Sequence, residues 1–142
     1  MATPLPLILR DCDVFIDGES LKCVCEHVEL TPDTAITTVT TFCGETDYPG
    51  ITKWSLVATF VQSFDVAATE EILSAAVESG GPVPFQIVPY GSQPISGTNP
   101  AWSGEVIPQP YAPISGDAGE ASTIDIEWSV VGEPVKSITP LP

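Results

Sequence analysis

The clearest pattern in the chain lies at residues 121–131, where Ile124, Ile126 and Trp128 alternate with Thr123, Asp125 and Glu127. Period two of this kind predicts a strand with one face in a core and the other in water. Residues 53–63 carry apolar side chains on both faces, Trp54, Leu56, Ala58 and Phe60 against Val57 and Val61, which predicts a strand covered on two sides. Residues 35–42 are β-branched almost throughout and read as a strand by propensity. Weaker alternation over 12–17 ends at Asp17-Gly18, a dipeptide suited to a tight turn, and 21–30 then supplies a second strand of a hairpin. Thr31-Pro32-Asp33 is expected to break that strand, and 43–52, with Gly44, Tyr48, Pro49 and Gly50, reads as a surface loop.

One helix is predicted, over 67–79. Asp65 or Thr69 is a candidate cap, Glu70 and Glu71 fall in the first turn, where the helix dipole favours anions, and Gly80-Gly81 closes it. Ile72, Leu73, Ala76 and Val77 form its apolar stripe. After Pro82 short β-prone pieces follow at 83–90 and 102–111, separated by loops. Pro108 and Pro110 argue for an edge or a bulge, because proline cannot donate to a ladder. Seven or eight strands and one helix give a mainly β fold, a sandwich or partly closed barrel with a flanking helix. Residues 1–142 are read as a single domain with an N-terminal arm at 1–10, the loop at 43–52 and a C-terminal arm at 132–142.

Only 16% of the residues are charged, 19 acidic against 4 basic, for a formal net charge of −15. A free monomer devotes about a quarter of its sequence to mixed charge, so much of this surface is expected to be covered by other copies or partners. Arg10, Lys22, Lys53 and Lys136 are too few and too scattered to neutralise a phosphate backbone, which argues against specific binding to nucleic acid or an anionic membrane. The start of the chain lacks the basic n-region and long apolar core of a secretory signal.

The candidate chemistry is thin. Cys23, Cys25 and His27 alternate and would share one face of a regular strand, with Cys12 or Cys43 as a conceivable fourth ligand. Zinc sites favour ligand pairs two to four residues apart, however, and buried reduced thiols are the expected state. His27 stands in no recognisable nucleophile turn, and Asp125 and Glu127 read as a solvated face rather than a glycosidase pair. No phosphate loop or calcium loop is present, so neither an enzyme nor a cofactor is expected.

In its order of elements the chain resembles the tail tube (major tail) proteins of long, non-contractile-tailed bacteriophages. The resemblance covers about 11–135 and rests on pattern. It takes in the hairpin through Gly18, the run Thr37 to Thr41 entering Gly44-Glu45-Thr46-Asp47-Tyr48-Pro49-Gly50, and Trp54 to Phe60 leading to the helix around Glu70 to Glu78. It closes with Trp102 to Val106, Gly116 to Glu120 and Ile124 to Trp128. It implies a virion protein made in the host cytoplasm, assembled as hexameric rings stacked into a tube. Tape measure and tail terminator proteins would be its partners, and the bore would pass viral DNA without binding it. Six copies would bring a formal charge of about −90 per ring, repelling phosphate over a Debye length of about 8–10 Å. Asp125 and Glu127 are the first candidates to line the bore. Glu26 and Glu29 follow, on opposite faces of a regular strand. Tyr48, Pro49 and Ile51 in the loop, with Leu5 and Leu7 in the arm, are the expected ring-to-ring contacts. The competing readings are a head decoration protein, the ring of a related secretion tube, and a carbohydrate-binding β-sandwich using Trp54, Trp102 and Trp128 as stacking platforms.

Overall fold

A computed structural model describes residues 6–66 and 68–139. Eight strands, β1 (Asp13–Ile16), β2 (Glu19–Ser20), β3 (Cys25–Thr41), β4 (Gly44–Val61), β5 (Val83–Val88), β6 (Ala101–Ile107), β7 (Thr123–Val130) and β8 (Val135–Ser137), join one antiparallel sheet. Among the described residues there is one helix, α1 (Thr69–Glu78), between β4 and β5 in the chain. The main path through the sheet is β2-β1-β5-β6-β7-β4-β3, with β8 paired to β6.

The β6–β7 ladder consists of two pairs, Val106 with Val130 and Ile107 with Ser129. This short seam lets the sheet bend, and Val14 and Ile16 of β1 share one hydrophobic cluster with Leu56, Ala58 and Phe60 of β4, several strands away along the path. The sheet thus folds over its own apolar face as an open, partly closed barrel. Ile72, Leu73 and Ala76 of α1 complete the cluster, with Val77 packed against it. The alternation in β7 is realised in full: Ile124, Ile126 and Trp128 are buried, and Asp125, Glu127 and Ser129 are exposed.

Several boundaries differ from the sequence reading. The turn at Asp17-Gly18 forms, both residues with positive φ (55° and 81°), but its return strand is only Glu19–Ser20. The strand expected from 21 starts at Cys25 and continues through Pro32 to Thr41 without a break. β3 is an edge strand, where the missing proline donor is tolerated. Residues 44–52 of the expected loop belong to β4, paired across Ile36 with Pro49, Thr37 with Tyr48 and Thr38 with Asp47. Cross-strand pairing with a β-branched partner outweighs the local turn chemistry of proline and glycine. Gly50 has a specific role here, since a Cβ on it would stand 2.8 Å from the carbonyl oxygen of Ala35 at the register shift between Thr34 and Ile36.

The helix begins at Thr69 with no side-chain cap. Neither Asp65 nor Thr69 caps it: Thr69 is buried and its Oγ1 donates to the Val61 carbonyl at 2.6 Å. Gly80, at φ 75°, follows its C-terminus as expected. The expected C-terminal arm contributes β8, which pairs Val135–Ser137 with Ala101–Ser103.

Candidate functional site: an acidic sheet face and an exposed hairpin

Register assembles the first surface. Glu29 pairs with Val57, which pairs in turn with Glu127; His27 pairs with Thr59, which pairs with Asp125. Glu29, Glu127 and Asp125 therefore share the outer face of the β3-β4-β7 segment, in two adjacent rows, and all three are exposed. Thr59 Oγ1 donates to Asp125 Oδ1 at 2.7 Å, and His27 Nε2 lies 4.0 Å from Glu29 Oε2. The side chains between them are Ser55, Val57 and Thr59, small or uncharged. Glu105 in β6 shares its face with Ile107, opposite Ser129, and adds a fourth exposed acid that the sequence reading missed. The signal was the alternation Glu105-Val106-Ile107, obscured by the prolines that follow.

Glu26 stands apart from these rows. A bulge between Cys25 and His27 makes Glu26 the extra residue of β3. The same bulge places Cys25 opposite Phe60 on the core face and His27 opposite Thr59 on the outer face, so Cys23, Cys25 and His27 do not share one side as regular alternation implied. Among the described residues no group of three or more His, Cys, Asp or Glu could hold a metal ion. The four cysteines are free thiols, and only Cys12 and Cys25 are partly buried; Cys23 and Cys43 are exposed, against the expectation of buried thiols. Burial, reinforced by the neighbouring Cys12, pushes the Cys25 thiol up to about 11, which keeps it protonated and unreactive at neutral pH.

The second surface is the distal half of the β3–β4 hairpin. From Pro32 to Lys53 every residue is exposed, yet the segment presents Ile36, Val39, Tyr48 and Ile51, with Phe42 fully exposed at the two-residue tip. Thr38 Oγ1 donates to Asp47 Oδ1 at 2.7 Å, and the hydroxyls of Thr34 and Thr52 lie 2.6 Å apart, so cross-strand bonds hold the ribbon in register without a core beneath it. The contact candidates Tyr48, Pro49 and Ile51 all lie on this ribbon. Leu7 is exposed on the arm beside Ile8 and Leu9, and Leu5 lies outside the described residues.

At the root of the hairpin an apolar cleft of about 340 Å³ opens between Leu30 and Trp54 on one side and Ile87 and Trp102 on the other, with Leu7 and Leu9 of the arm also lining it. Asp11 fixes the arm's exit: its carboxylate accepts from Lys22 and from the backbone and hydroxyl of Ser92, and these contacts, Lys22 first, hold it down at about 2. Trp128 is buried in the core, apart from Trp54 and Trp102, which are half-buried and line the cleft. The three tryptophans therefore do not form the outward stacking platform that a carbohydrate-binding module would use.

No family model matches the chain, and no curated protein does. Solved structures do. The chain of the SPP1 tail tube, determined by solid-state NMR and cryo-EM, superposes with a TM-score of 0.75 at 17% identity over 96% of this chain and 81% of that one. A chain of the extracellular contractile injection system PVC, in its sheath-tube complex, gives 0.67 at 13% identity, covering 94% and 93%. A chain of the native gene transfer agent virion gives 0.66 at 13% identity, covering 90% and 96%. With eight antiparallel strands, one flanking helix and this agreement along nearly its whole length, the chain has the fold of tail tube proteins.

Proposed function

We propose that this chain is a structural, non-enzymatic virion subunit that assembles as stacked hexameric rings into a tail tube whose acidic bore passes the genome. The observation that carries the reading is the agreement of fold over 96% of the chain with the subunit of the SPP1 tail tube. The tail of an empty gene transfer agent particle, which a chain of similar fold also belongs to, has C6 symmetry, which supports six copies per ring. The sparse charge and the apolar ribbon fit a subunit whose exterior is covered by its siblings. In the assembled tube Asp125, Glu127 and Glu29 face the bore, where three acids on a wall with few cations repel the phosphates of DNA and offer no counterion-releasing contacts. Glu26, held at the bulge, lines a side cleft with Arg10 and Cys12 instead. Tape measure and terminator proteins would bound the tube at its two ends.

Negative-stain microscopy of the concentrated protein tests this reading. Rings or tubes with a central hole wide enough for a DNA duplex are expected. A solitary particle at every concentration would overturn it.

A further inference from the structure

The tip of the hairpin and the cleft lie at the two ends of the distal ribbon. Pro32 and Trp54, where the ribbon leaves the domain, sit at the cleft, and Phe42 stands ten residues beyond Pro32, roughly 33 Å away at the rise of an extended strand. Each copy thus carries a fully exposed aromatic tip at one end of the ribbon and an open apolar cleft at the other. Tip and cleft are too far apart to meet within one molecule. A contact between them in two molecules is heterologous and need not close on itself, so it generates an extending stack rather than a dimer.

Charge distinguishes this contact further. Of the chain's four cations, Lys22 is held by Asp11 and Lys136 lies over the Trp102 ring. Arg10 and Lys53 have no acidic partner among the described residues. Arg10 adjoins the cleft, since Leu9 and Cys12 line both the apolar cleft and the neighbouring recess that Arg10 lines. Near the tip, three residues past Phe42, Glu45 is exposed and has no cationic partner among the described residues. The cleft falls within the roughly 300–1,000 Å³ range that receives bulky apolar groups.

We propose that Phe42 of one copy seats in the cleft of a second copy, between Leu30, Trp54 and Trp102, and that Glu45 pairs with the second copy's Arg10. This rests on the tail tube reading and specifies its axial contact: the hairpin of one ring enters the cleft at the base of the hairpin in the next. The apolar anchor supplies the affinity, and the single charge pair fixes the register in a surface where nearly every other charge is repulsive.

All three positions are exposed, so substitutions there leave the fold intact, which circular dichroism of the free subunit verifies. Phe42→Asp is expected to stop tube growth while leaving folded subunits or single rings. Arg10→Glu and Glu45→Arg, each alone, are expected to raise the concentration needed for tubes at least tenfold, and the double exchange to recover most of that loss. Full-length tubes from Phe42→Asp, or a double exchange no better than its singles, would overturn the contact and mean that something else covers the cleft. Wild-type protein that forms no tubes at all would instead overturn the tail tube reading on which it rests.

Discussion

Asn99 is a buried polar side chain with both ends of its amide hydrogen-bonded. Its Oδ1 accepts from the Tyr90 amide at 3.0 Å, and its Nδ2 donates to the carbonyls of Tyr90, Gln93 and Pro94. The loop after β5 contains three prolines and few backbone pairs of its own, so this one amide substitutes for a ladder. Asn99→Ala takes this partner from the half-buried Tyr90 amide and from the carbonyls of Gln93 and Pro94, and a buried polar group left unpaired costs about 1–3 kcal/mol. The unfolding free energy is expected to fall by about 2–3 kcal/mol, read as a lower urea midpoint at unchanged slope. A loss below about 0.5 kcal/mol would show that the loop holds its shape without this amide. Glu70 works in a comparable way at the helix start, accepting from Gln62 Nε2 and from the Tyr111 hydroxyl, each at 3.0 Å. Burial, and next the Glu70 carboxylate, push the Tyr111 phenol up, so it stays a donor and ties the 108–122 loop to the helix.

At the scale of elements, the β3–β4 ribbon divides into a half with a core and a half without one. Leu56, Ala58 and Phe60 are wholly buried, whereas everything from Pro32 to Lys53 is exposed. Local stability follows buried contact. In the free subunit, amides of 36–49 are expected to exchange with solvent well before those of 56–60 and 124–130, and in assembled tubes the distal amides should become as slow as the core. Equal protection of both halves in the free subunit would mean that the ribbon is stable without its neighbours. This division also explains what the sequence disclosed. Where a strand borders the core, as in β7, period two was legible and the outward Asp125 and Glu127 could be named. Where strands pair without a core, alternation carries no face information, and Pro49 and Gly50 signalled a loop that long-range pairing converts to strand. Glu29 could be nominated from the sequence but not grouped with Asp125 and Glu127, because the bulge at Glu26 and the three-strand register decide which acids are neighbours.

For the whole molecule the question is how a chain with 19 acids and 4 bases can pack against itself. The acids Glu29, Glu127 and Asp125 share one sheet face, the face that the proposed reading turns toward the bore, while the ribbon exposes Ile36, Val39, Phe42, Tyr48 and Ile51 for contact with other copies. Reversing that face is the direct probe. Asp125→Lys with Glu127→Lys changes each subunit by +4 and a six-copy ring by about +24, supplying the phosphate contacts that the wild type lacks. Both positions are exposed, and the only described bond at risk is that from Thr59 to Asp125, so tubes should still form. Double-stranded DNA is expected to be retained by tubes of the double variant at 50 mM salt and released as salt rises toward 0.5 M, since each lysine–phosphate contact contributes about one unit of slope in log affinity against log salt. Wild-type tubes should retain none at either salt. In assembled particles the same variant should slow genome delivery without lowering the number of intact tails. Variant tubes that ignore DNA at low salt would place these carboxylates on the outside of the tube and return the bore to another face of the sheet.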